Sequence, residues 1–330
     1  MISDNNITKT TAKDTNVIDK CLDLSKEKID VSFLYPESIK AYTVDDKLLS
    51  LPIMQQAYGI VVNKTLLINE GLFVPKNYEE FLTVMEALKE KGYTPLQGSQ
   101  KHLYGELMLG MAMNILAQDK ANITALENGD EKAVDIIKPV FEKLETIINN
   151  GYTDYELNSS LPEDNYDGSI MKFFEGEMPF YVCNTECVSG MKKRESKSES
   201  FTESPFEYEF MYAPLGEEGV YEYAQPWYGF SIRNDSDSKD MAVEFLRFVA
   251  NADKLDNMAA TKGLPSVVIN GKNERYAGIT NVDNVQSKFY NDGSISSDIR
   301  EAFIQVCNEF GAGTYKNAEE AAKAFVNLCK

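Results

Sequence analysis

The chain switches repeatedly between two hydrophobic periods, and that switching narrows the folds open to it. Residues 58–64, YGIVVNK, are a compact β-branched run of the kind a buried strand shows. Asn77 then reads as an N-cap for YEEFLTVMEALKEKG, with Glu80 three residues on and Gly92 at the end. Its apolar positions Phe81, Leu82, Met85 and Leu88 fall on one helical stripe. Residues 104–118, YGELMLGMAMNILAQ, are apolar almost all round and predict a buried helix. EKAVDIIKPVFEKLETIINNGY predicts an amphipathic helix, which Pro139 is expected to kink or to start. GSIMKFFEGEMPFYVCNTECVSGMKKRE reads as a short helix, a turn, the buried strand MPFYVC and a second helix from near Asn184. The very polar KKRESKSESFTESPFE reads as a surface loop. YGFSIRNDSDSKDMAVEFLRFVAN gives strand, turn and helix, and two more helices close the chain. Strands alternating with helices throughout make an α/β protein.

At 330 residues the chain is long for one core, so about two domains or lobes are expected. The net charge of −19 is spread along the sequence and repels phosphate backbones, which argues against nucleic acid as a partner. No window approaches the roughly 18 apolar residues of a membrane span. The opening MISDNNITKTTAKDTN is polar and carries no apolar core of a secretory signal. Five cysteines are an odd number, against a complete disulfide framework. Cys183 and Cys187 are four apart, one face of a helix, but two thiols without a nearby histidine make a poor zinc site, and buried small residues are the better reading.

Catalytic signatures are missing. There is no glycine-rich phosphate loop, no GxSxG elbow and no HExxH. The sole histidine, His102, falls in an expected loop and reads as a surface residue. With 52 acidic residues some carboxylate pair can always be proposed, so the count says nothing about glycoside hydrolysis. Neither an enzyme, a cofactor nor a metal is expected.

Three stretches together resemble the extracellular solute-binding proteins that deliver sugars to ABC importers. The first, YTVDDKLLSLPIMQQAYGIVVNKTLLINEGLFVPKNYEEFLTVMEALKEKGYTPL, is similar to that family's hairpin, strand and following helix. FFEGEMPFYVCNTECVSGMKK is similar to its next strand and helix. YAPLGEEG, QPWYGFSIRNDSDSKDMAVEFLRFVAN and KGLPSV follow in the family's order. The resemblance covers residues 35–268 and implies a two-lobed, type II periplasmic-binding-protein-like fold. It places residues 1–63 and 229–288 in the first lobe and 64–228 and 289–330 in the second, with crossings near 60–65, 226–231 and 285–292. It also implies a carbohydrate ligand, permease subunits as partners, a monomeric chain and an extracytoplasmic, envelope-associated location. The family's opening strand, helix and second strand have no counterpart before Asn16, so the first lobe is expected to lack them.

The same resemblance points to site residues. Sugar sites combine aromatic faces with planar polar side chains that bond hydroxyls. Trp227 and Tyr228 precede the second crossing, with Gly229 permitting close approach; the alternative is that Trp227 packs against a helix. Gln55, Gln56 and Tyr58 precede the first crossing, and a solvated loop is the other reading of the glutamines. Glu186, with Asn184 in the NTE triplet, stands where relatives carry a tryptophan; its carboxylate either accepts from sugar hydroxyls or favours a helix N-terminus. Tyr104 and Glu106 open the apolar helix as further candidates, and Tyr42 reads as structural. The competing readings are a remnant that no longer binds sugar and a glycosidase with two carboxylates at catalytic separation.

Overall fold

The computed structural model describes residues 2–3, 18–161, 167–271, 276–280 and 282–330. Along the chain, β1 (Ile2–Ser3) is followed by α1 (Pro36–Ala41), β2 (Thr43–Val44), β3 (Lys47–Leu48) and the long β4 (Leu51–Asn63). Next come α2 (Lys64–Asn69), α3 (Tyr78–Glu90), β5 (Leu96–Gln97), α4 (Gln100–Ala117), α5 (Lys120–Asn128) and α6 (Glu131–Asn149). Then α7 (Tyr155–Ser159), α8 (Asp167–Phe173), β6 (Phe180–Asn184), α9 (Thr185–Glu195), α10 (Glu199–Glu203), β7 (Tyr208–Met211) and β8 (Val220–Ser231) follow. The chain ends with α11 (Lys239–Val249), α12 (Ala252–Lys262), β9 (Val285–Tyr290), α13 (Ser297–Gly311) and α14 (Ala318–Leu328).

Two compact units emerge, each built from three stretches of sequence. Unit 1 comprises Met1–Ala57, Ala224–Glu274 and Tyr290–Ser297; unit 2 comprises Tyr58–Tyr223, Arg275–Phe289 and Asp298–Lys330. In unit 1 the second half of β8 pairs antiparallel with the first half of β4, from Leu51↔Phe230 to Ala57↔Ala224, with irregular register around Met54. Its core gathers Tyr42, Leu49, Leu51, Ile53, Val243, Leu246, Leu255 and Leu264. α11 buries Val243, Leu246 and Val249 in that core, while Met241 and Phe248 stay 74% and 64% exposed. The expectation of missing opening strands concerns residues 1–16. Of these only Ile2 and Ser3 are described, and they pair with Ser231 and Phe230.

The expected hairpin is present as β2 and β3, with Val44 opposite Lys47. Its two turn residues, Asp45 and Asp46, both take positive φ, 48° and 61°. Aspartate is strained there, and an Asn-Gly pair suits such turns best. Asp45→Asn with Asp46→Gly is expected to stabilise unit 1 by about 1 kcal/mol. Thermal unfolding checks this, and an unchanged or lowered Tm counts against the turn as described.

In unit 2 the second half of β4 is flanked by β6 and β7, both antiparallel, and β5 joins β6 in parallel. Asn77 caps α3 by accepting from the Glu80 N–H at 3.0 Å. Leu103, Leu107, Met108, Leu109, Ala112, Met113 and Leu116 of α4 are all buried, so this is the all-round apolar core helix the sequence predicts. Around it, Phe141 of α6 meets Phe303, Phe310 and Phe325 at 5.6–6.4 Å between ring centroids. Each such buried ring contributes about 2–3 kcal/mol of hydrophobic stabilisation.

Of the two readings of Pro139 the helix start is excluded, and the surface-loop expectation for the polar stretch fails. Pro139 does not start its helix: α6 begins at Glu131 and runs through the proline, because Val134, Ile137, Val140, Phe141 and Leu144 bury one continuous face. The polar KKRESKSES stretch is not a plain loop. α9 continues to Glu195, and α10 follows, capped by the Ser198 hydroxyl accepting from the Phe201 N–H. Phe201 anchors it, 4.7 Å from Phe174 and 5.0 Å from Phe206.

Candidate functional site

The residues singled out from the sequence fall into two groups, one in each unit. In unit 2 the register sets Tyr58 of β4 opposite Asn184 of β6. Asn184 is the last strand residue and the N-cap of α9, so both ends of its amide have work. Its Oδ1 accepts from the Glu186 and Cys187 N–H groups at 3.0 and 3.3 Å, and its Nδ2 donates to Glu106 Oε1 at 2.9 Å. The carboxylate of Glu106 is only 3% exposed, which is costly for a charge unless donors surround it. A second group reaches the same oxygen: His102 Nδ1 lies 3.1 Å from Glu106 Oε1, one helical turn away. His102 is therefore not the surface loop residue expected. It is half-buried in the first turn of α4, held against a carboxylate.

α4 can present Glu106 here because it approaches α13 very closely. A Cβ on Gly105 would lie 2.7 Å from the Ile304 Cα, so only glycine fits. Tyr104 is fully buried against Gly311, where an added Cβ would stand 2.2 Å from the tyrosine ring. Its hydroxyl bonds Thr153, so the structure sets it apart from the Glu106 group.

Tyr58 stacks obliquely on Tyr223, with ring centroids 5.8 Å apart. Burial pushes the Tyr58 phenol far up, against the pull of the Arg300 guanidinium, while Tyr223, Glu106 and Glu186 push the same way as burial. Burial opposes the charge of Arg300, yet Tyr223, Tyr58 and Glu301 outweigh it and hold the guanidinium pKa above its ordinary value. Arg300 is also hydrogen-bonded to Tyr223. Unit 2 thus gathers a guanidinium, two carboxylates and a carboxamide about one tyrosine pair. Glu186 is exposed on the first turn of α9, while Glu106 is buried. Tyr223, His102 and Arg300 are not among the site residues the sequence points to; only the position of Tyr223, shortly before the tryptophan in YEYAQPW, could have flagged it.

In unit 1, Gln55 and Gln56 lie in β4 rather than in a solvated loop. Gln55 Nε2 donates to the Ser266 carbonyl at 2.8 Å. Gln56, 2% exposed, accepts from Gln225 Nε2 at 3.2 Å across the β4–β8 ladder. Trp227 packs half-buried against the unit 1 core and meets Tyr228 edge to face, 5.6 Å apart at 71°. Its indole N–H is buried and has no acceptor among the described residues. Gly229 does allow a close approach, but to the protein itself: a Cβ there would lie 2.3 Å from Ser50 Oγ and 3.1 Å from the Tyr42 ring. Tyr42 is fully buried, as its structural reading requires.

The cysteines are not on one helical face. Cys183 belongs to β6 and Cys187 to the first turn of α9, and both are buried. A hollow of about 510 Å³ elsewhere on unit 2, lined by Asn63, Glu70, Tyr93, Glu177 and Phe206 among others, includes none of the candidate residues. Among the described residues, no helix is long and apolar enough to cross a membrane.

With the geometry in place, the chain can be set beside known proteins. A family 1 extracellular solute-binding protein from Bifidobacterium longum subsp. infantis superposes with a TM-score of 0.71 at 19% identity, covering 98% of this chain and 83% of that one. The solute-binding protein RafE, solved in complex with raffinose, gives 0.71 at 17% identity, covering 98% and 85%. A sugar transporter protein from Bacillus licheniformis, solved in complex with stachyose, gives 0.68 at 17% identity, covering 93% and 80%. These likenesses establish the periplasmic-binding-protein-like α/β fold. No curated protein matches the chain. The family model described as bacterial extracellular solute-binding protein matches residues 3–270. Members of that family bind their solutes without transforming them, so this protein is not an enzyme. Since the match spans most of the sequence, the chain belongs to the bacterial extracellular solute-binding proteins.

Proposed function

We propose that the protein binds a sugar or oligosaccharide outside the cytoplasm and delivers it to the permease of an ABC importer. The two units act as the lobes, and the ligand favours their closed arrangement by binding it more tightly than the open one. The observation that carries this reading is the Trp227 indole N–H, buried and without an acceptor among the described residues. An unmade bond of that kind costs about 1–3 kcal/mol, and a sugar oxygen would supply the missing acceptor while the ring covers an apolar sugar face. Tyr228, Gln55 and Gln56 serve beside it. In unit 2, Tyr58, Asn184, Glu106 and Glu186 bond sugar hydroxyls, with Arg300 and Tyr223 orienting Tyr58; Tyr104 supports α4 from behind.

Titration with raffinose, stachyose and chitin- and xylan-derived oligosaccharides tests this. The protein has a single tryptophan, so its fluorescence reports on Trp227 alone. A binding sugar is expected to change that fluorescence and raise Tm, since 100-fold excess over Kd adds about 2.7 kcal/mol of stability. Trp227→Phe keeps an aromatic face but removes the N–H, and should weaken binding about tenfold. No response to any of these sugars, in a chain folded by circular dichroism, favours the non-binding remnant. Turnover of a glycoside would contradict the binding role outright.

A further inference from the structure

Cys183 and Cys187 are free, buried thiols on either side of Asn184. Tyr181 and Cys183 are two residues apart on β6, so their side chains leave the same face of the strand. Cys187 reaches that face from α9, its sulfur 3.4 Å from the Tyr181 hydroxyl and in hydrogen-bonding contact with the Cys183 thiol. The Glu106 carboxylate acts on the Cys183 thiol through its charge, in the direction burial already sets. The family is extracellular, where disulfides form and persist. We propose that Cys183 and Cys187 are a modification site, closing in an oxidising exterior to an intramolecular disulfide that ties β6 to the first turn of α9 around Asn184. This rests on the family's extracellular assignment and not on the choice of ligand.

The oxidant is a small disulfide of the glutathione type. One cysteine thiolate attacks it and expels a glutathione thiolate, leaving a mixed disulfide. The second cysteine thiolate attacks the protein sulfur of that bond and expels the other glutathione. The two protein thiols give up two electrons and two protons, and the oxidant becomes two thiols. Burial pushes the Cys183 thiol well up, so the folded chain reacts slowly and closure belongs to folding, while the segment is still open. Once closed, the bond pins the turn that holds Asn184 to Glu106 and displays Glu186. Cys21 lies in unit 1, and no contact of Cys307 or Cys329 with either thiol accompanies the Cys183–Cys187 contact.

The test refolds the full chain from denaturant with reduced and oxidised glutathione, alkylates the remaining thiols and maps the peptides. Five cysteines less one linked pair leaves three alkylated, with a linked peptide joining Cys183 to Cys187. Tm is expected to rise by about 4 °C over the reduced chain. The Cys187→Ser chain, or Cys187→Ala if the serine does not fold, should lack that rise. Five alkylated cysteines in a refolded chain overturn the proposal, as does pairing with Cys21, Cys307 or Cys329, or glutathione left on Cys183. Failure to bind any sugar in a correctly oxidised chain counts against the ligand reading and leaves this one standing.

Discussion

Gly59→Ala is expected to cost unit 2 more than about 3 kcal/mol, although alanine suits a strand better than glycine does. Gly59 stands mid-strand in β4, paired with Cys183 on one side and next to the Ile60↔Met211 pair on the other. An added Cβ would fall 2.1 Å from the Met211 carbonyl oxygen and 3.2 Å from the Phe210 ring. The obstructing atom is backbone, held in the ladder, so it cannot swing aside as a side-chain tip would. The gain from strand propensity spans at most about 1 kcal/mol, and forcing atoms into a packed interior typically costs 1–3 kcal/mol or more, so the clash decides the sign. Valine at this position should abolish soluble folding. Urea unfolding of the alanine variant is the check; a neutral or stabilising result means β7 does not approach β4 as described.

Asn184→Ala should cost roughly 2–4 kcal/mol, because one side chain serves two ends. Losing the cap on α9 accounts for about 1 kcal/mol. Removing the donor from a buried carboxylate accounts for about 1.5–3 kcal/mol more. Asn184→Asp separates the two effects. It keeps a capping oxygen but sets a second carboxylate against Glu106, so at pH 7 its deficit should exceed that of alanine. Denaturant unfolding of both variants measures this. An aspartate deficit no larger than that of alanine would remove Asn184 from contact with Glu106.

What could be read from the sequence was what depends on neighbours in the chain. The cap at Asn77, the apolar helix from Tyr104 and the buried strand before Asn184 rest on spacing that any local reading detects. Asn184 and Glu106 were each singled out, but the bond joining them spans 78 positions and no local pattern announces it. Arg300 is the clearest omission: in SDIREAFIQV it is one polar residue on an amphipathic helix, and its half-buried place beside the tyrosine pair exists only once α13 packs. The opposite error occurred at KKRESKSESFTESPFE, where charge and serine concealed Phe201 and a capped helical turn. His102 falls outside the helix that the sequence predicts, because the start of α4 carries few apolar residues and the periodic pattern begins only at Tyr104. At Gly229 the sequence shows that space is needed but not what fills it, here Ser50 and Tyr42.

Arg300 has a consequence for how the protein is made. Residues 290–297 belong to unit 1, and α13 returns the chain to unit 2 only afterwards. Tyr58, Glu106, Asn184 and Tyr223 all emerge from the ribosome before the guanidinium that completes their group. Closing so long a loop adds little entropy per residue, but it must await synthesis of the segment itself. A nascent chain halted before α13 would carry Tyr58 without the guanidinium that acts on it and Gly105 without the helix that seats it. The polar group of unit 2 thus assembles only after α13 has been made.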